Sequence, residues 1–202
     1  MSVMRLTIRT GARRSESATA ADDYELRVRS GDHEAFRHIF DRYSKPVTGF
    51  IFDMVGQREL AEELAQETFV RAYRGIGTVR SETKLSTWLF GIAKNVAYET
   101  LRTRRRRTMV GIDELPESHV ADPAPRPEGE LLKKELNGVI EGALAALDDD
   151  KRMVFTLKVF QQKSYDEISE ITGFSIPKLK TDVHRARAEM RKRIGPYLES
   201  VL

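Results

Sequence analysis

The sequence predicts an all-α fold of two small helical domains joined by an acidic flexible linker, and three observations carry that prediction. Apolar residues recur three or four apart along most of the chain, and no stretch alternates as a strand would. Residues 164–193 read as two helices around a tight turn, the second of them strongly basic. Between 108 and 130 the periodicity fails: Pro116, Pro123, Pro125 and Pro127 mix with Asp113, Glu114, Glu117, Asp122, Glu128 and Glu130, and only Arg126 is basic. The divisions that follow are an arm at 1–21, a first domain at 22–107, the acidic linker at 108–130 and a second domain at 131–202.

Composition agrees. Of 202 residues, 32 % are charged and 40 % apolar, a balance that favours small helical domains with solvated faces. A formal net charge of +3 hides sharp local asymmetry. Cysteine is absent, which excludes disulfides and cysteine-ligated zinc. No apolar run approaches the roughly 20 residues that span a bilayer. Arg5, Arg9, Arg13 and Arg14 are not followed by the apolar core of a secretory signal. A cytoplasmic location is the expectation.

Taken in order, 1–21 lack periodicity and are expected to be disordered. Asp22 or Asp23 can cap a short helix that Gly31 ends. Asp32 then caps a longer one, with Phe36, Ile39, Phe40, Tyr43, Val47, Phe50, Ile51 and Met54 on its inner face, a kink at Pro46 and a stop at Gly56. Residues 58–76 form a second amphipathic helix. Leu60, Leu64, Phe69, Ala72 and Tyr73 face inward, and Glu62, Glu63, Gln66 and Glu67 form a polar, acidic outer face. After a loop at 78–84 comes a third helix at 85–107. Leu85, Leu89, Ile92 and Val96 share one side, while Thr87, Lys94, Tyr98 and Arg105 fall near one line on another. That second line is polar, basic and aromatic, as a DNA-facing stripe is, and Arg104 to Arg107 extend its charge.

Beyond the linker, helical spacing returns through Leu132, Leu136, Val139, Ile140 and Leu144. Asp148, Asp149 and Asp150 place acids at the positive end of the next helix, which holds Met153, Val154, Phe155, Leu157, Val159 and Phe160. Ser164-Tyr165-Asp166-Glu167 fits a capping box. Gly173 suits the left-handed turn, Ser175 caps the following helix, and Pro177 sits in its first turn. In that helix Ile176, Leu179, Val183 and Ala186 form the buried stripe. Lys180, Thr181, His184 and Arg185 lie opposite, with Lys178, Arg187, Arg191, Lys192 and Arg193 adding charge. A helix this basic suits the major groove.

Catalysis finds no support. His33, His38, His119 and His184 are scattered, without metal-ligand or triad spacing, and no glycine-rich phosphate loop occurs. No catalytic residue, metal or cofactor is therefore expected.

Both halves resemble one family, the bacterial RNA polymerase sigma factors of the extracytoplasmic-function (ECF) type. The first motif stands as Ala61-Glu62-Glu63-Leu64-Ala65-Gln66-Glu67-Thr68-Phe69, with Arg71-Ala72-Tyr73 after it. The second stands as Leu85-Ser86-Thr87-Trp88-Leu89-Phe90-Gly91-Ile92-Ala93-Lys94-Asn95. The third stands as Ser164-Tyr165-Asp166-Glu167-Ile168, followed by His184-Arg185-Ala186-Arg187. The resemblance implies that Glu62, Glu63, Leu64, Gln66 and Glu67 dock on the coiled coil of the polymerase β′ clamp. It implies that Arg80, Ser81, Thr83 and Lys84, with Thr87 and Trp88, hold a base flipped from the promoter −10 element, a setting that suits aromatic and polar groups. Lys94, Asn95, Tyr98, Arg102 and Arg105 would follow the strands there. Ser175, Lys178, Lys180, Thr181, His184, Arg185 and Arg187 would meet the −35 element, and the second domain would touch the β flap. An anti-sigma factor is an implied partner.

The chain departs from this pattern at Lys180-Thr181-Asp182, where the family often carries Lys/Arg-Ser-Arg. An acid at Asp182 either pairs with Lys178 or bears on −35 preference, since it repels phosphate and can accept from cytosine N4. Pro177 replaces a frequent glycine. Two other classes remain beside this one. A regulator that binds DNA without polymerase needs neither the 62–67 face nor the Trp88 helix. An interaction protein that never binds DNA has no use for two basic helices.

Overall fold

The computed structural model describes residue 27 and residues 32–79, 83–109 and 128–201. The arm at 1–21, the cap at Asp22 or Asp23, Gly31, Arg80, Ser81 and linker residues 110–127 lie outside the described residues.

The described residues are helical with no strand. Helix α1 spans His33–Val55. The Asp32 side chain caps it by accepting from the N–H groups of Glu34 and Ala35 at 2.9 and 3.1 Å. Gly56 ends it at φ 72°, a left-handed conformation that costs glycine no Cβ clash. The helix runs through Pro46 without interruption. Helix α2 spans Arg58–Gly75 and runs into a 3₁₀ turn at Ile76–Thr78. Helix α3 spans Leu85–Met109, slightly longer than its periodicity predicts.

These three helices pack on one another through Val47, Phe50, Ile51 and Met54 of α1, Ala61, Leu64, Ala65 and Phe69 of α2, and Leu89, Phe90, Ala93 and Val96 of α3. Phe50 and Phe90 meet edge to face, 5.6 Å between centroids. Two expected inner-face residues lie at the rim instead. Phe40 and Tyr73 are both 44 % exposed, leaning edge-on against Phe69 and Phe36. A stripe spaced three or four apart is wider than the line of helix contact, so its outer members stay wet.

The second half comprises α4 (Glu128–Ala145), α5 (Asp149–Phe155), a π-helical turn at Thr156–Phe160, α6 (Tyr165–Thr172) and α7 (Ile176–Val201). Asp148 caps α5 by accepting from the Lys151 N–H at 2.9 Å. After the π turn Gln162 adopts φ 52°, a left-handed conformation unusual for a side-chain-bearing residue, and the chain reverses into α6. Ala143, Leu144, Leu147, Phe155, Ala186 and Met190 form a local core.

The two halves do not stand apart. Met153, Val154, Leu157, Ile168, Ile171, Leu179 and Val183 belong to the same buried cluster as the first-half residues. Each such aliphatic side chain contributes about 1.5–3 kcal/mol when fully buried. Arg152 reinforces the join: its guanidinium donates to the carbonyls of Leu144, Ala145 and Leu147, and to that of Met54 across the seam.

Candidate nucleic-acid interface

Helices α6 and α7 form the expected helix-turn-helix. Both hydrogen bonds of the capping box are present: Glu167 N–H to Ser164 Oγ at 3.1 Å, and Ser164 N–H to Glu167 Oε2 at 2.8 Å. Gly173 takes φ 77°. Thr172 Oγ1 accepts from the Phe174 N–H at 3.1 Å and donates to the Ile168 carbonyl at 2.7 Å. Ser169 Oγ donates to the Phe174 carbonyl at 2.7 Å. The turn is thereby fixed by short-range bonds, and the phase of α7 is fixed with it.

That phase buries Leu179, Val183 and Ala186 and leaves Lys180, Thr181, His184, Arg185 and Arg187 exposed on the other side. Ser175 is exposed, and its carbonyl accepts from the Leu179 N–H at 3.0 Å. Lys178 is committed elsewhere. Its ammonium lies 2.6 Å from Asp182 and 3.2 Å from Asp150, and 3.7 Å above the Phe174 ring. Burial alone would lower its pKa, but the hydrogen bonds to Asp182 and Asp150 outweigh that and raise it. Asp182 is only 9 % exposed.

On α2, Glu62, Glu63, Gln66 and Glu67 are exposed as expected. Leu64 is at 9 % exposure a core residue, as its place on the inner face predicts, and supports the outer face from beneath, whereas the resemblance groups it with the docking residues. Arg71 braces the face, accepted by Glu67 at 2.8 Å and by both carboxylate oxygens of Glu99 on α3 at 3.2 and 3.0 Å.

The α3 stripe differs most from its expected setting. Thr87 is a correction, buried at 2 % exposure with no hydrogen-bond partner for its hydroxyl among the described residues. Trp88 is half-buried and packs on the core. Lys94 is half-buried, and burial pushes its pKa down. Asn95 and Arg102 are exposed.

The remaining members meet the second half of the chain. Tyr98 donates its hydroxyl to Asp150 at 3.1 Å. Burial first, and then the Asp150 charge, lift its pKa well above the usual phenol range. Arg105 pairs with Asp149 at 2.7 Å. At the start of the helix Lys84 pairs with Glu167 at 3.1 Å. Between these points Lys163 donates to Ser86 Oγ at 3.0 Å and sits 4.8 Å from the centre of the Phe90 ring. An open cleft of about 500 Å³ runs along the seam, lined by Arg105, Asp149, Asp150, Lys178, Asp182 and Arg185. Thr83, next to Lys84 in sequence at the loop end, is half-buried. Sequence reasoning placed the aspartates only as a helix start. Nothing local marks them as partners of α3.

Two family models match the chain: Sigma-70 region 2 over residues 39–107, and Sigma-70, region 4 over residues 138–190. The ECF RNA polymerase sigma factor SigW of Bacillus subtilis is 32 % identical over 173 residues, covering 83 % of this chain and 92 % of its own. The chain belongs to the ECF sigma factors. The ECF RNA polymerase sigma-E factor of Haemophilus influenzae is 31 % identical, with 85 % of this chain and 94 % of its own covered. Among solved structures, the sigma factor RpoE in complex with the anti-sigma factor NepR from Bartonella quintana aligns with a TM-score of 0.67 at 24 % identity, covering 79 % of this chain and 96 % of that one. CnrH in complex with the cytosolic domain of CnrY aligns at 0.64 and 20 % identity, covering 90 % and 98 %. As a sigma factor, this protein binds RNA polymerase core and directs promoter-specific initiation of transcription. Among the described residues no helix is long and apolar enough to cross a membrane.

Proposed function

We propose that the sigma factor divides its promoter between two helices, α3 at the −10 element and α7 at the −35 element. The observation that carries this is the phase of α7. Lys180, Thr181, His184, Arg185 and Arg187 are exposed together, while Leu179, Val183 and Ala186 anchor the opposite side. Phosphate contacts from the lysines and arginines supply affinity, and Arg185 and His184 are placed to reach base edges. On α3 and the loop before it, Thr83, Lys84, Trp88, Lys94, Asn95, Tyr98, Arg102 and Arg105 serve the −10 strands, with Arg80 and Ser81 completing the loop in sequence. Thr87, being buried, shapes the helix start from inside. The exposed acids of α2 take the β′ clamp, and the second domain takes the β flap.

The chain acts by binding, in the cytoplasm and without a cofactor of its own, and bond formation belongs to polymerase. Control by an anti-sigma factor fits the same reading, since a partner that covers α2 or α7 would block polymerase or DNA. Run-off transcription with polymerase core on a promoter library tests the assignment. Recovered promoters should share two spaced boxes. The upstream preference should change in Arg185→Ala and the downstream one in Trp88→Ala. Recovery of a single box would refute the division.

A further inference from the structure

The outward side of α2 is charged and apolar at once, and much of it has no partner within the fold. Glu59, Glu62, Glu63, Gln66 and Glu67 are exposed there. Arg71 holds Glu67, but Glu59, Glu62 and Glu63 have no ion-pair partner among the described residues. Glu59 stands one helical turn before both Glu62 and Glu63, a spacing at which like charges repel. Val70 and Tyr73 continue the line of Gln66 along the helix, 42 and 44 % exposed. The Phe40 ring, leaning on Phe69, borders them. An apolar strip thus runs beside a row of carboxylates.

One segment of the chain carries the complementary pattern. Residues 1–21 hold Arg5, Arg9, Arg13 and Arg14 against a single acid, Glu16, and Met4, Leu6 and Ile8 interleave with the first two arginines. They belong to neither promoter helix. The segment also joins the fold beside that strip. The Arg27 carbonyl accepts from the Asp32 N–H at 3.1 Å at the start of α1. One turn further on, Phe36 meets Tyr73 edge to face, 5.2 Å between centroids. Glu62 lies roughly 16 Å from Tyr73 along the helix axis. The stretch from Arg14 to Arg27 spans about 40 Å when extended, so the arginines can reach the whole face.

We propose that the arm at 1–21 lies on the α2 face in the free sigma factor and competes with polymerase core for it. This rests on the assignment of that face to the β′ clamp. The arginines pair with Glu59, Glu62 and Glu63, while Met4, Leu6 and Ile8 cover Val70, Tyr73 and Phe40. Exposed ion pairs are individually weak. Tethering offsets this, because a linked segment acts at an effective concentration on the order of millimolar. Such a contact tunes access to the face without locking it, and polymerase displaces the arm. If the arm covers the face in about four molecules of five, its loss tightens core binding about fivefold. Salt screens exposed pairs, so the effect fades as ionic strength rises.

Arg5→Gln, Arg9→Gln, Arg13→Gln and Arg14→Gln, made together in the full chain, remove the charges and keep the length. Affinity for polymerase core should rise about fivefold at low salt, and variant and wild type should converge at high salt. A second measurement reads the contact itself. The chain has no cysteine, so Thr10→Cys supplies the only thiol. A nitroxide attached there should broaden the amide signals of residues 59–73, and the four glutamines should abolish that broadening.

Equal core affinity of the glutamine chain and wild type, with Gln66→Ala, Glu67→Lys still losing core, overturns the competition and leaves the clamp assignment standing. Broadening that spares α2 overturns the contact. A glutamine chain that binds core as wild type does and loses affinity for promoter duplex gives the arm to DNA, and the proposal fails. If α2 broadens but neither the glutamine chain nor Gln66→Ala, Glu67→Lys changes core binding, the clamp assignment fails, and the competition fails with it.

Discussion

Arg152 Nη1 donates to the carbonyl of Met54 at 2.8 Å, although 98 positions separate the two residues. The rest of the same guanidinium serves Leu144, Ala145 and Leu147. These carbonyls lie at or just beyond the C-terminal ends of α1 and α4, where intrahelical donors run out and a cation is favoured. A planar fork with five N–H groups can reach them together, whereas an ammonium cannot.

Arg152→Lys should therefore keep the charge but lose most of the bonds. We expect a loss of about 2–4 kcal/mol in urea unfolding, since hydrogen bonds to charged groups are each worth about 1.5–3 kcal/mol and do not add fully. A midpoint equal to wild type would show that water replaces the fork without cost.

Asp53 of α1 gives the same seam a pH dependence. Burial, and then the charge of Glu141 on α4, push its carboxyl up to about 7 from an ordinary 3.8. The folded state thus binds this proton more tightly than the unfolded one. Its contribution is fully present below the ordinary value and is lost as pH rises through 7. Asp53→Asn should remove this part of the slope, so that the variant gains on wild type as pH rises from about 5 to 8. Parallel curves of urea midpoint against pH for the two proteins would contradict the placement of Asp53.

The clamp face is open to a direct test. Gln66 and Glu67 are exposed, and Arg71 keeps Glu99 when Glu67 is lost. Gln66→Ala with Glu67→Lys should leave thermal unfolding nearly unchanged. It should weaken binding to polymerase core by several kcal/mol if the charge sits at the centre of the contact. Unaltered capture of core in a pull-down would remove residues 62–67 from that interface.

Much of the molecule was legible before its structure, and the boundary has a physical basis. Asp32, Ser164, Glu167, Gly56 and Gly173 act within a few residues of themselves, so caps and turns follow from sequence alone. The buried stripe of α7 follows likewise from helical period. Leu64 shows helical period outranking a motif: the period turns it inward, as it is found, although the motif groups it with outward-facing 62, 63, 66 and 67. Tyr98–Asp150 spans 52 positions, and nothing local encodes how two rigid helical groups dock. The contacts between α3 and the second half were illegible for that reason, and so was the four-carbonyl role of Arg152.

Arg185 tests recognition on α7. It is exposed beside His184 at the edge of the cleft. Arg185→Ala should weaken binding of −35 duplex by about 1–3 kcal/mol and relax preference at one position if the guanidinium reads a base. A uniform loss across all sequences, with a shallower salt slope, would make it a phosphate contact instead.

Asp182 is where the chain leaves its family, and the structure gives that departure a setting. The carboxylate is 9 % exposed and 2.6 Å from Lys178, one helical turn before it. It faces the seam with Asp150 and not the exposed line of Lys180, His184 and Arg185. A buried, paired acid neither reads cytosine nor repels a distant phosphate. Its consequence is on Lys178, whose charge it neutralises locally. Asp182→Asn should thus leave the order of preferred −35 sequences unchanged. It should also free the ammonium for phosphate, steepening the salt dependence of duplex binding by about one counterion. Binding to randomised −35 duplexes at two salt concentrations separates the possibilities. A changed sequence order would place Asp182 in the groove, and an unchanged slope would mean that Lys178 stays bound to Asp150 when DNA is present.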